Sequence, residues 1–79
     1  MKKVTVFEGG RHPWTPEELG YDPELHWSIG QVIEVPERLV KKDQEVKGES
    51  FYVYRIDEFV SDVRDGTVAK LTYLYFTPF

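Results

Sequence analysis

The chain carries few residues suited to covalent chemistry. It has no Cys, so neither a thiolate nucleophile, nor a thiolate zinc site, nor a disulfide is open to it. Its serines are Ser28, Ser50 and Ser61. None stands in a G-x-S-x-G turn or an S-x-x-K run, the contexts that expose and activate a hydroxyl. His12 and His26 flank a stretch holding Glu17, Glu18, Asp22 and Glu24. Two imidazoles and a carboxylate suffice for zinc, but no H-x-x-x-H spacing puts two ligands on one helix face. Two acid pairs stand out, Glu17-Glu18 and Asp57-Glu58. Glycoside chemistry needs acids held across a cleft about 5–10 Å wide. The first pair fits the opening turn of a helix, where the macrodipole favours it; the second fits a solvated strand face. Gly9-Gly10-Arg11 follows a strand but lacks the spaced Gly-Lys-Ser/Thr of a phosphate loop, and reads as a tight turn. These readings predict no enzyme activity, no cofactor and no metal.

What the chain has in excess is rings: aromatic residues make up 15% of it. Tyr52, Tyr54, Tyr73, Tyr75 and Phe76 fall on strands, with Arg55 and Lys70 nearby. That combination is a stacking platform for single-stranded nucleic acid. The RRM signature is missing, however, and a net charge of −4 with a pI near 5.1 opposes phosphate binding. A protein partner fits the composition better, because Tyr and Trp dominate interface hot spots. The contact residues expected are Trp14, Tyr21 and Trp27 in an aromatic loop, and Tyr73, Tyr75, Phe76 and Phe79 in the C-terminal tail. Such rings act by burial in a partner groove while charged rim residues set orientation. The strands offer a second route, pairing with a foreign edge.

The elements that must position these rings are legible in outline. The length, 79 residues, predicts a single domain. Lys3 to Glu8 reads as a strand closed by Gly9-Gly10, with Val4 and Val6 on one face and Thr5 and Phe7 on the other. Residues 9–30 hold three of the prolines, four of the glycines and both tryptophans. Thr15-Pro16-Glu17-Glu18 forms a capping box, and Asp22-Pro23-Glu24 repeats the cap-then-Pro logic. A folded loop with one or two helical turns is expected, anchored by Trp14, Leu19, Tyr21, Leu25 and Trp27. Gln31 to Val35 alternates as a short strand ended by Pro36, and the polar residues 37–50 read as an exposed loop.

The strongest signal is the last thirty residues. Phe51 to Ile56 and Thr67 to Phe76 are strands, and Asp65-Gly66 between them signals a hairpin turn. Pairing Arg64 with Thr67 places Val63 opposite Val68, Val60 opposite Leu71 and Ile56 opposite Tyr75. A helical stripe, Ile56, Phe59, Val60 and Val63, competes over the middle of this region. A bulge near Asp57-Glu58 would satisfy much of both patterns.

Four or so strands and one insertion predict a mostly β protein, α+β being the alternative: a small, twisted antiparallel sheet or an SH3-like, partly open barrel. Ser28 to Val35 resembles the glycine-then-strand entry of SH3-like and PUA-like barrels. Those barrels imply the alternative of nucleic-acid binding, and a self-assembling structural subunit is a further one. The general character of the chain, short, free of Cys, mildly acidic and aromatic-rich, resembles small bacteriophage proteins that take over or inhibit the host. That resemblance implies a non-enzymatic inhibitor of a host protein in transcription, replication or cell division. No stretch reads as a leader or a membrane span, so a cytoplasmic location is expected.

Overall fold

A computed structural model describes residues 1–46 and 48–78 of the chain. The protein is mostly β. A curled five-strand mixed sheet forms a half-barrel, accompanied by a two-strand sheet and one short helical turn. In chain order the strands are β1 (Lys2–Lys3), β2 (Val6–Gly9), β3 (His12–Trp14), β4 (His26–Trp27), β5 (Val32–Pro36), β6 (Phe51–Asp62) and β7 (Gly66–Thr77). The helical turn α1 spans Glu37–Val40. The large sheet has the order β3-β2-β7-β6-β5, and β1 pairs with β4.

The first strand is broken where the sequence reads it as continuous. β1 pairs with β4 through Lys2–Trp27 and Lys3–His26, while β2 joins the large sheet. The chain changes sheets at Val4-Thr5, where Thr5 donates its backbone N–H to the Thr67 carbonyl at 2.9 Å. Alternation is therefore interrupted, and Val4 and Phe7 both reach the core. β2 also runs parallel to β7, with Val6 beside Val68 and Gly9 beside Leu71, so the sheet is mixed rather than wholly antiparallel.

The long hairpin β6–β7 is the frame of the molecule. Its register differs from the one the sequence favours. Asp62 pairs with Gly66, Val60 with Val68 and Ile56 with Leu71. The turn, Val63-Arg64-Asp65, has three residues because two local groups decide it. The Asp62 carboxylate accepts the backbone N–H of Arg64 at 2.7 Å and of Asp65 at 3.1 Å, an Asx turn. Gly66 then takes the left-handed conformation, φ +76°, which other residues enter only with strain. Bulges interrupt the ladder at Asp57 and at Leu74. The extended hairpin thus prevails over the helical stripe, with the bulge at Asp57 that reconciles the two patterns.

Residues 37–50 are not wholly loop, since α1 opens them. β5 alternates as read, Ile33 and Val35 buried and Val32 and Glu34 exposed. In the insertion between β2 and β5 the capping bonds form as read, but over hydrogen-bonded turns and not helix, and the short strands β3 and β4 lie within it. Glu18 N–H donates to Thr15 Oγ1 at 3.2 Å, and Thr15 N–H donates to Glu18 Oε1 at 3.0 Å; Glu24 N–H donates to Asp22 Oδ1 at 2.9 Å. Leu25, read as an anchor, is exposed.

The core fills the concave side of the sheet: Val4, Phe7, Trp14, Trp27, Ile33, Val35, Tyr54, Ile56 and Ala69. Phe7 meets Trp27 edge-on at 5.1 Å, and Tyr21 meets the same indole at 4.9 Å. Contacts of this geometry add about 0.5–1.5 kcal/mol each beyond simple burial, which matters in a chain with so little interior.

Candidate functional site: an aromatic row and an uncovered strand edge

The two long strands are each covered along only part of their length. On its outer side β7 is flanked by β2 from Val68 to Leu71. Beyond β2, no strand among the described residues lies against Thr72–Thr77, so one edge of that stretch is open. The residues there are Thr72, Tyr73, Leu74, Tyr75, Phe76 and Thr77, with no charge among them.

The bulge at Leu74 decides where these rings point. Tyr73 lies opposite Tyr54, Phe76 opposite Tyr52 and Tyr75 opposite Val53. Simple alternation would put Tyr73 and Tyr75 on one face and Phe76 on the other. The extra residue moves Phe76 to the face of Tyr73 and leaves Tyr75 on the reverse. A continuous row of rings results. His12 stacks on Trp14 at 5.6 Å, Trp14 meets Tyr54 at 5.6 Å, Tyr54 meets Tyr73 at 5.8 Å, Tyr73 meets Tyr52 at 5.8 Å, and Tyr52 meets Phe76 at 4.9 Å. The row passes from the core to solvent: Trp14 is 1% exposed, Tyr73 49% and Phe76 37%, with His12 partly exposed beyond Trp14.

Where β2 ends, the row opens into a groove of about 500 Å³ walled by Gly9, Gly10, Arg11, His12, Tyr54 and Tyr73. Gly9 makes the approach of the rings possible. A Cβ there would lie 2.9 Å from Trp14 Cζ3 and 3.0 Å from Tyr54 Cε1. Burial, and secondarily the neighbouring Tyr52 and Tyr73, push the Tyr54 phenol above its ordinary pKa, so it remains a protonated donor near neutral pH.

The expected contact residues separate into two groups. Trp14 and Trp27, 1% and 4% exposed, belong to the core, and Tyr21 is half-buried against Trp27. A docking role for that loop requires an accessible indole, and both are shielded, because β3 and β4 turn them inward. The Trp14 Nε1–H donates to the Leu39 carbonyl at 3.2 Å, a structural use. Tyr73, Tyr75 and Phe76 are exposed; Phe79 lies outside the described residues. What sequence reasoning missed is the groove beside Arg11, since only the parallel pairing of β2 with β7 brings that turn to the rings.

The basic groups of the stacking platform are elsewhere. Arg55 and Lys70 alternate with Tyr54 and Leu71 onto the opposite face. Arg55 is bound to Asp57 at 2.9 Å and Lys70 to Glu8. The Glu8 hydrogen bond leads the influences that raise the Lys70 pKa. Asp57 also accepts the Thr72 hydroxyl; that bond first, and Arg55 second, hold its carboxyl below the usual range. Among the described residues no three His, Asp or Glu side chains converge as a metal site, and no helix is long and apolar enough to cross a membrane. Comparison with protein families, with curated proteins and with solved structures finds no match; the site is therefore read from its geometry.

Proposed function

We propose that this protein is a small non-enzymatic binding module that takes an extended segment of a partner protein onto the uncovered edge of β7. The observation that carries this is the six-residue, uncharged, aromatic edge from Thr72 to Thr77. Soluble proteins blunt open edges with charge, Pro or a covering element; among the described residues this edge has no charge or covering strand along it, and Pro78 follows only at its end. Its bulge leaves Tyr73 and Phe76 on one face and Tyr75 on the other, so an added strand is gripped from both sides. Main-chain hydrogen bonds would supply affinity and the rings selectivity. At about 3.3 Å per residue the edge accommodates roughly 20 Å of strand. The mode of action is occlusion: the partner's segment is held and its normal use blocked. The compositional resemblance to bacteriophage inhibitors makes a host protein the partner class.

Self-assembly has one observation in its favour. Thr72-Tyr73-Leu74-Tyr75-Phe76-Thr77 pairs with itself antiparallel as Thr with Thr, Tyr with Phe and Leu with Tyr. The two-fold axis would fall beside the bulge at Leu74, where the ladder is irregular, and this favours a foreign strand. Nucleic acid is weaker still, because Arg55 and Lys70 sit on the other face and are already paired.

The deciding experiment is affinity capture from nuclease-treated bacterial lysate at about 0.5 M salt, where exposed charges are screened beyond ~4–5 Å. Wild type is compared with Leu74→Lys, on the open edge, and with Val60→Lys, on the far end of β6. A stoichiometric protein lost with Leu74→Lys and kept with Val60→Lys is the expected result. Equal capture by all three overturns the edge as the site. Retention only when nuclease is omitted gives the nucleic-acid reading, and a solution mass above 9.3 kDa for the purified chain gives self-assembly.

A further inference from the structure

The row of the sheet that β2 occupies is vacated beyond Gly9, while β7 continues to Thr77. A segment added to the open edge of β7 lies in that vacated row, in line with β2. Its end nearest β2 meets the Gly10-Arg11 turn. Antiparallel pairing is the more stable ladder, and it runs the segment against β7. Its C-terminal end therefore arrives at this turn and at the groove beside it.

The groove is chemically one-sided. Its polar lining residues are Arg11, His12, Tyr54 and Tyr73, and no Asp or Glu lines it among the described residues. Arg11 is exposed and makes no ion pair among the described residues, as is also true of Lys2, Arg38, Lys42 and Arg64, but of these only Arg11 lines the groove. The nearest acid in sequence, Glu8, alternates to the opposite face and is held by Lys70. The Tyr54 side chain is mostly buried but its hydroxyl is not a buried unpartnered atom; neither it nor the Tyr73 hydroxyl has a hydrogen-bond partner among the described residues. An unpaired guanidinium and two free phenols beside apolar ring faces suit an anion attached to an apolar group. In a chain of net charge −4 a free cation at this position also selects against cationic ends.

We propose that this groove is a subsite for the C-terminal carboxylate of the segment that pairs with β7, with Arg11 as its ionic partner and Tyr54 and Tyr73 as hydrogen-bond donors. The partner segment is accordingly an extended chain end whose last residue is aromatic or large and apolar. The inference rests on strand addition for its direction, but the subsite can be probed alone.

The test is an NMR titration of the full chain with N-acetyl-phenylalanine, which carries a ring beside a terminal carboxylate, and with its amide, which lacks the charge. The acid is expected to shift Gly10, Arg11, His12, Tyr54 and Tyr73 and to saturate on the order of millimolar, as its size allows. The amide should bind at least about tenfold more weakly, the factor one charge-assisted hydrogen bond represents. Arg11→Gln should weaken the acid by a similar factor, with Arg11→Lys intermediate because a point charge replaces a fork. Equal binding of acid and amide, shifts elsewhere, or an unchanged Arg11→Gln titration would each overturn the subsite. The two readings fail separately. Partner capture that depends on Leu74 while the acid does not bind leaves strand addition standing and removes the subsite. Acid binding unaffected by Leu74→Lys, with no captured partner, leaves the subsite and removes strand addition.

Discussion

Each long strand of the hairpin has one uncovered stretch, and the two are opposites. Among the described residues, β6 is open from Asp57 to Asp62 beyond its pairing with β5 and the Gly30–Gln31 contacts, and β7 is open from Thr72 to Thr77 beyond β2. The β6 stretch carries Asp57, Glu58 and Asp62 within six residues and is bent by a bulge at its start. Those are the devices by which edges avoid pairing with other chains. The β7 stretch is bulged as well but carries no charge. Both belong to one hairpin and one fold, so folding alone does not call for the difference. The difference is that one edge carries the charges that discourage pairing and the other does not, which is the contrast on which the proposed strand addition rests.

The comparison can be broken at its foundation. Trp14→Ala removes the buried indole on which His12 and Tyr54 rest and should cost about 3–5 kcal/mol, a large share of the stability of so short a chain. Urea unfolding would measure it; a loss below about 1 kcal/mol would mean that the ring row stands without its buried end. A smaller effect is expected at the acidic end. Gly66→Ala places a Cβ 2.7 Å from Thr5 Oγ1 in a left-handed residue and should cost about 1 kcal/mol or more. Amide shifts from residues 72–77 should hardly move, and widespread change there would show the two ends to be coupled.

The difference in charge can be tested next. Leu74→Lys should change stability by no more than about 0.5 kcal/mol, so that its effect on partner capture is read as a binding effect. Removing the guard, with Asp57→Thr and Glu58→Thr together, should make the chain self-associate more than wild type in sedimentation. An unchanged mass would assign the protection to the bulge instead. The smallest effect concerns pH. The N–H groups of Asp65 first, then Arg64, hold the Asp62 carboxyl below its ordinary range, as Thr72 and Arg55 do for Asp57. A lowered folded pKa gives stability that is present above the ordinary carboxylate value, about 3.9, and is lost as pH falls through the folded value. Acid should therefore loosen the turn and the β6 edge, while the open β7 stretch contains no carboxylate. A carboxyl-carbon titration with an ordinary midpoint for Asp62 would refute this.

Local signals were legible where a few neighbouring atoms decide the outcome. The capping box at Thr15, the cap at Asp22 and the alternation of Ile33 and Val35 each depend on residues within four positions. The bulge at Asp57 was legible because two periodicities conflict there. The hairpin register was not, because Asp65-Gly66 also fits a two-residue turn, and the Asp62 side chain tips the choice to three. The tryptophans were read both as anchors of the insertion and as partner contacts, because composition marks a ring as valuable without saying which side of the sheet it takes; burial of both favours the anchor. The groove at Arg11 left no local trace.

By itself the sequence determined a mostly β chain without Cys, the caps of its insertion, the hairpin and the uncharged aromatic run at its end. These follow from propensity, capping geometry and period-two patterning, which act over a few residues. Only the tertiary structure decided that β2 lies parallel to β7 and stops at Gly9, that the bulge at Leu74 sends Phe76 to the face of Tyr73, and that Arg11 stands beside Tyr54. The first and the last depend on contacts between residues more than forty positions apart, and the bulge depends on pairing across the hairpin, Tyr54 with Tyr73 and Val53 with Tyr75; their closure is set by how the whole core packs and not by any one segment.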